Sequence, residues 1–243
     1  MQRYFVDINQ VSNDLVIITG DDCHHISKVM RMKINDKIIV ASNGKSWLCE
    51  IVNFYEKEVH AKIIEKLDEE KELPINVTIA HGLVRREKAE EVIDKVTQLG
   101  AYEYVQVVME RSNVKLNDEK IDKKIDRMNK IAKEASEQSH RTNKLIVNKP
   151  LTFKEMLNNT KKYDLLLYAY ENAEMDKTLK KFLKDSKYLN ILVLIGPEGG
   201  ISENEVKLLN EHNFHPITLG PRILRTEVAP SYVMAAISYE LEV

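Results

Sequence analysis

The residues best suited to chemistry sit in two glycine-bearing segments toward the C-terminal end. The first is Leu194-Ile195-Gly196-Pro197-Glu198-Gly199-Gly200, an apolar run that opens into a glycine-rich turn. Glycine lets a backbone approach a ligand closely and present its N–H groups. At the carboxyl end of a strand, such a turn is where open α/β sheets bind ligands. The pattern is not GxGxxG and has no Lys-Ser/Thr pair, so it is not a phosphate loop. Glu198 argues the same way. A carboxylate here disfavours phosphate and suits a cationic ligand, of which the sulfonium of S-adenosylmethionine is one. A tight strand-to-helix turn is the structural alternative.

The second segment is Leu219-Gly220-Pro221-Arg222-Ile223-Leu224-Arg225-Thr226-Glu227. It has no simple periodic face and is dense in functional groups, as ligand-bearing loops are. Its backbone amides suit an adenine edge, and Arg225 and Glu227 suit a substrate base. A mutual Arg225–Glu227 salt bridge that only shapes the loop is the alternative. Tyr168 and Tyr170 belong to an apolar run and are either ring-stacking surfaces or core residues. Arg85, Arg86 and Lys88 open a helical pattern, where cations oppose the helix dipole. A phosphate partner is one reason for them, a solvated face the other, and Lys28, Arg31 and Lys33 divide the same way. His24 and His25 are adjacent and the other histidines are scattered, so no zinc set is expected.

These segments need a scaffold of alternating strands and helices. Residues 75–80, 104–109, 145–147, 165–170, 191–195 and 216–219 read as strands. Residues 165–170 and 191–195 are nearly all apolar, as central parallel strands are. Amphipathic helices are expected over 87–99, 118–139, 202–212 and 231–241, the third opened by a Ser202/Glu205 capping box. The pattern predicts a parallel sheet covered by helices. Before residue 68 the rhythm is that of short strands (36–42, 46–55, 59–67), with Asn43-Gly44-Lys45 as a turn and a helix over 22–32 capped by Asp22. That reads as a small β-barrel. The charged run Asp68–Glu72, ended by Leu73-Pro74, reads as the linker, dividing 1–72 from 73–243.

Composition sets bounds on all this. The chain has 243 residues, 43% hydrophobic and 30% charged, with no apolar run of about eighteen residues and no secretory leader pattern. Cys23 and Cys49 are the only cysteines, which suits a reducing, cytoplasmic compartment without a disulfide framework. The net charge of −2 disfavours a nucleic-acid binder. Its distribution does not, because residues 111–149 hold eleven Lys/Arg against six Asp/Glu.

Taken in order, several segments resemble the RsmE-type 16S rRNA (uracil-N3)-methyltransferases of the SPOUT superfamily. They are Arg3-Tyr4-Phe5, His25 through Met32, Lys88 through Gly100, Glu110-Arg111-Ser112, Glu137 through Arg141, and both loops above. The resemblance covers nearly the whole chain. It implies an N-terminal PUA-like RNA-binding β-barrel, a C-terminal α/β domain with a trefoil knot, and a homodimer formed through that domain. It implies S-adenosylmethionine bound by Tyr168, Tyr170, Glu171, Ile195, Gly196, Pro197, Gly199, Gly200, Leu219, Gly220, Pro221, Ile223, Leu224 and Thr226. It implies small-subunit ribosomal RNA held by Arg3, His25, Lys28, Arg31, Lys33, Arg85, Arg86, Lys88, Arg111, Arg141 and Arg222. Two positions depart from the family pattern: Gln98 stands where Glu is usual, and Val228 replaces a hydroxyl residue before the last helix.

For that reaction uracil N3 must lose its proton, and the charge left on O2 and O4 must be stabilised. Glu227 is the first candidate base and Glu198 the second. Arg225 is the candidate for the anion, since guanidinium donors match planar oxygen edges. No catalytic metal is expected. A ribose 2′-O-methyltransferase of the same superfamily is one competing reading, and a non-catalytic ribosome-assembly factor is another. A nucleotide switch fails for want of a phosphate-loop lysine.

Overall fold

The computed structural model describes residues 1–116, 121–184 and 188–243. The chain forms two compact units, residues 1–72 with 136–144, and residues 73–135 with 145–243.

In the first unit, β1 (Arg3–Phe5), β2 (Leu15–Thr19), β3 (Lys37–Ser42), β4 (Lys45–Phe54) and β5 (Glu58–Leu67) form one sheet in the order β1-β3-β4-β5-β2. β1 runs parallel to β3 and the other pairs are antiparallel. The sheet does not close, because β1 and β2 remain as edges, so the expected barrel is a curled half-barrel. Register shifts between β4 and β5 at Leu48/Cys49 and Ile51/Asn53 supply the bending that bulges give. Val16, Ile18, Ile38, Val40, Cys49, Ile51 and Val59 alternate inward to form its core.

The helix expected over 22–32 is broken in two. A short α1 (Gly20–His24) runs into a π-helical turn over His25–Val29, and Arg31 follows with φ 51°. Its N-cap is Thr19, not Asp22, which lies inside the first turn. The expected linker is also different. Glu69 accepts from Arg3 Nη2 at 2.7 Å and Ser46 Oγ at 2.6 Å. Glu72 accepts from Arg141, Thr142 and Asn143. Two carboxylates of the charged run are therefore anchors of the first unit.

The second unit holds an all-parallel sheet of β6 (Asn76–Gly82), β7 (Glu103–Val108), β8 (Ile146–Thr152), β9 (Leu165–Ala169), β10 (Asn190–Ile195) and β11 (His215–Ile217), ordered β11-β9-β10-β6-β7-β8. Pro150 and Pro216 lie on the two edge strands, where a missing N–H does least harm. The two-residue side-chain period divides the core. Val77, Ile79, Ile191, Val193, Leu165 and Leu167 face one layer, with α2 (Arg86–Gln98), α3 (Ile121–Gln138), α5 (Leu179–Leu183) and α7 (Ala229–Glu242). Ala80, Leu192, Leu194 and Tyr168 face the other, with α4 (Phe153–Asn158) and α6 (Glu203–Glu211). Short α4 and α5 were not evident from periodicity, five or six residues being too few to show it. Residues 118–120 of the helix expected over 118–139 lie outside the described residues. α6 has the expected reciprocal Ser202/Glu205 capping box. α7 has Val228 as its N-cap and so no side-chain cap, as the loss of a hydroxyl there requires.

Candidate active site

The central strands end at one edge of the sheet, and the turns that follow β9 and β10 meet the segment between β11 and α7. Together they enclose a cavity of about 850 Å³. Its walls include Tyr170 and Glu171 after β9, Gly196 through Ile201 after β10, and Leu219 through Glu227 before α7. The two loops singled out by composition thus converge on one space, although some twenty residues separate them in sequence.

Two glycines explain how the turns fit. Gly200 has φ 73°, a left-handed conformation costly for other residues. Gly82 ends β6 beneath the second turn, where a Cβ would lie 2.4 Å from the nitrogen of Pro197. Only a hydrogen at this position lets β6 support the Gly196-Pro197 turn so closely. Gly200 N–H closes that turn onto the Pro197 carbonyl at 2.9 Å.

Of the expected cofactor residues, Tyr170, Glu171, Ile195, Gly196, Pro197, Gly199, Gly200, Leu219, Gly220, Pro221, Ile223, Leu224 and Thr226 line the cavity. Tyr168 does not. It sits at a strand position of opposite parity to Ala169, its ring is buried, and its hydroxyl donates to Asn210 Oδ1 at 3.0 Å. It is a core residue. Ala169, Met175, Ile201 and Thr218 also line the cavity and had no signal beyond adjacency to the loops.

The three candidate catalytic residues, Glu198, Arg225 and Glu227, stand on the same cavity. Between the two carboxylates lies Lys88, from the first turn of α2, with Nζ 3.3 Å from Glu198 Oε1 and 3.1 Å from Glu227 Oε2. Lys88 was expected to face RNA phosphate, and the structure instead gives it two carboxylate partners inside the cavity. The hydrogen bond to Glu227 is the main reason its ammonium titrates above the usual lysine value. Burial pushes the Glu227 carboxyl up, but its backbone N–H, Lys88 and Arg225 outweigh this and hold it below the usual range. The expected alternative of an Arg225–Glu227 salt bridge is not formed, and Arg225 is exposed. The site therefore offers an ionised carboxylate, a lysine that fixes it, and an exposed guanidinium.

The expected RNA-facing residues separate by burial. Lys28, Arg31, Lys33, Arg85, Arg86, Arg111 and Arg222 are exposed. Arg86 also pairs with Glu87 and Glu90, and Arg111 donates to the Gly199 carbonyl at 3.4 Å. His25 is half-buried, with Nδ1 3.0 Å from the Tyr4 hydroxyl. Arg3 and Arg141 are 2% and 3% exposed and paired with Glu69 and Glu72. Their charges are neutralised within the fold and are not presented to a polyanion. Among the described residues, no group of three His, Cys, Asp or Glu side chains is arranged to hold a metal, and no helix is long and apolar enough to cross a membrane.

Residues 71–238 match the RNA methyltransferase domain family, and residues 18–64 match the RNA methyltransferase PUA domain family. The chain is 40% identical over 250 aligned positions to ribosomal RNA small subunit methyltransferase E of Bacillus subtilis, covering 100% of this chain and 98% of that protein. It is 31% identical to the protein of the same name from Synechocystis, covering 99% of this chain and 78% of the other. Its fold is similar to the crystal structure of a ribosomal RNA small subunit methyltransferase E from Neisseria gonorrhoeae bound to S-adenosyl methionine, with a TM-score of 0.84, 26% identity and coverage of 98% and 97%.

Proposed function

Because the chain belongs to the ribosomal RNA small subunit methyltransferase E family, we propose that it methylates N3 of a uracil in 16S ribosomal RNA, using S-adenosylmethionine. The observation that carries this reading is the cavity at the ends of β9, β10 and β11, where the cofactor-type loops and the Lys88, Glu198, Arg225 and Glu227 cluster share one space.

The cavity's own residues suit this cofactor. Leu219, Ile223 and Leu224 give apolar surface for an adenine ring, and Glu171 and Glu198 offer carboxylates to a cation. When bound, S-adenosylmethionine supplies an electrophilic methyl group carried on sulfonium. The loops hold this group and the base in line, and positioning of that kind is worth several kcal/mol, up to about 7–11. Glu227, kept ionised by Lys88, accepts the N3 proton. Arg225 donates N–H groups to the oxygen that gains charge, and removal of one such donor typically slows a reaction about 100-fold or more. The base reaches this cavity by leaving its stack.

Lys28, Arg31 and Lys33 of the PUA-type unit, with Arg85, Arg86, Arg111 and Arg222, are the proposed phosphate contacts. Val228, Tyr232 and Tyr239 are exposed at 43%, 45% and 71% on one side of α7, which supports a homodimer through this helix. The trefoil threading of the loops that the resemblance implies belongs to the same proposal. A cytoplasmic setting suits the two free, buried thiols.

The test incubates the protein with methyl-labelled S-adenosylmethionine and unmethylated small ribosomal subunits, followed by nucleoside analysis. Label in 3-methyluridine is expected. Label in a 2′-O-methylated nucleoside would overturn the base assignment, and absence of both transfer and cofactor binding would overturn the enzyme reading.

A further inference from the structure

His81 lies near the end of β6 and is completely buried. Its two ring nitrogens are both engaged. Nδ1 is 2.9 Å from the Tyr104 hydroxyl, on the neighbouring strand β7, and Nε2 is 2.8 Å from Thr226 Oγ1, in the loop before α7. The Thr226 hydroxyl in turn lies 2.7 Å from the Gly196 carbonyl oxygen, in the turn after β10. Four segments that are far apart in sequence meet in this chain.

The chemistry of the groups fixes the direction of every bond. A carbonyl oxygen only accepts, so the Thr226 hydrogen points to Gly196. Thr226 Oγ1 is then left to accept, and His81 Nε2 must donate to it. A neutral imidazole with its hydrogen on Nε2 has Nδ1 as acceptor, which the Tyr104 hydroxyl satisfies as donor. One tautomer satisfies every member. Protonating Nδ1 as well would force the Tyr104 hydrogen out of this bond, between two side chains that are both completely buried. Burial pushes the imidazole down to about 4, against the raising influence of Thr226 and Glu227, with Lys88 lowering it a little. Burial also raises the Tyr104 phenol, so over neutral pH both groups stay in the states the chain requires.

The chain ends on the two loops that form the cavity. Thr226 stands between Arg225 and Glu227 and is 8% exposed, and its hydroxyl is turned to His81 and Gly196 while its neighbours line the cavity. Gly196 opens the glycine turn, and Gly82, the residue after His81, presses on Pro197. We infer that His81 is a positioning residue for the methyl transfer: as the Nε2–H tautomer it links Tyr104 through Thr226 to Gly196, and so sets the spacing of the loop that carries Arg225 and Glu227 against the turn that carries Glu198. This rests on the proposed methyltransferase reading, and it assigns Thr226 a different task from direct contact with a cofactor.

The test uses the whole protein and two readouts. Histidine ¹⁵N NMR without ligand is expected to show His81 protonated on Nε2, bare on Nδ1, and without titration between about pH 5.5 and 8. An Nδ1–H tautomer, or titration in that range, would overturn the relay. Cofactor affinity by calorimetry and single-turnover methylation of small subunits are then compared for Thr226→Val and Thr226→Ser. The valine variant keeps the shape and loses both bonds; about tenfold weaker cofactor binding and a slower methyl-transfer step are expected, with most of both recovered by serine. Affinity and rate within twofold of wild type in the folded valine variant would limit His81 to a structural role. Wild-type protein with the expected tautomer but no cofactor binding would instead remove the methyltransferase reading, and the positioning role with it.

Discussion

Arg3 and Arg225 are the same residue type in opposite settings. In the first unit, Arg3 has a side chain with no exposure, donates to the Arg141 carbonyl at 2.8 Å, and is paired with Glu69. Arg141 repeats the arrangement with Glu72. On the cavity of the second unit, Arg225 is exposed, while the nearby carboxylates Glu198 and Glu227 share Lys88. A buried arginine whose terminal nitrogens are taken up by a carbonyl and a carboxylate holds strands and turns together. Arg225 is exposed on the cavity beside two carboxylates that already share Lys88, and under the proposed function its donors are left for what enters. The difference lies in the partners, since an ion pair loses its value for binding once both members are saturated.

The largest effect expected from breaking this contrast is on stability. Arg3→Ala leaves Glu69 and Ser46 facing a vacated site, and loss of one member of a buried pair costs about 3–5 kcal/mol. Urea unfolding is expected to give a loss near the lower figure, because Glu69 keeps 19% side-chain exposure, and a loss under about 1 kcal/mol would mean the pair is not a strut. Acid gives an independent check. Burial pushes the Glu69 carboxyl up, but hydrogen bonds from Ser46 and Arg3 outweigh this and hold it low. Its contribution is therefore complete above about 4.5, the unfolded value, and is lost as pH falls through the lower folded value. Glu69→Gln should remove that part of the acid-side slope.

Arg225→Ala is expected to do the reverse, leaving unfolding unchanged within about 0.5 kcal/mol while slowing methyl transfer about 100-fold, or about 2.7 kcal/mol. Single turnover at saturating cofactor measures it. Near-wild-type turnover would exclude Arg225 from the chemical step. Lys88→Met sharpens the same comparison at a smaller scale. Without the ammonium, Glu227 loses one of the groups that hold it low, and its pKa rises toward the ordinary carboxylate value. The ionised base then persists over a narrower range, so the acid limb of kcat/KM moves to higher pH. An unmoved limb would show that Glu227 is not the group being titrated.

Much of the scaffold was legible because the second unit obeys simple periods. The apolar runs at 165–170 and 191–195 are central strands, and Ser202 with Glu205 caps α6. The loops were legible because each follows an apolar strand pattern with glycine at the strand's carboxyl end, where open α/β sheets bind ligands. What sequence hid was partnership. Tyr168 and Tyr170 share strand parity and differ in position, Tyr168 lying buried within β9 and Tyr170 just past its end at the cavity. Lys88 reads as one of three cations opening a helix, yet it alone reaches Glu198 and Glu227. Glu69 and Glu72 lie in a charged run typical of linkers, and only the folded chain brings Arg3, Ser46 and Arg141 to them. His81 belongs to a strand pattern, with nothing local to reveal a bond to Thr226, 145 positions away. Long-range side-chain contacts leave no periodic trace.

The smallest expected effects are those of the exposed cations in the first unit. Arg31 follows the π-helical turn with φ 51°, and Met32 N–H bonds back to the Ile26 carbonyl at 3.0 Å. This left-handed position ends the turn and is one that glycine occupies at less cost, by about 1 kcal/mol. Arg31→Gly and Arg31→Ala therefore separate charge from backbone. If Arg31 contacts phosphate, both variants weaken RNA binding by the same modest factor, about threefold, and lower the salt dependence of log K by about one. They differ only in stability, with glycine above alanine. If the residue serves the turn alone, the glycine variant binds RNA as wild type does and keeps the full salt slope. Titration of RNA at several salt concentrations reads the first property and urea unfolding the second. An exposed arginine with no carboxylate partner among the described residues should register in the first measurement, as Arg3 should register in the second.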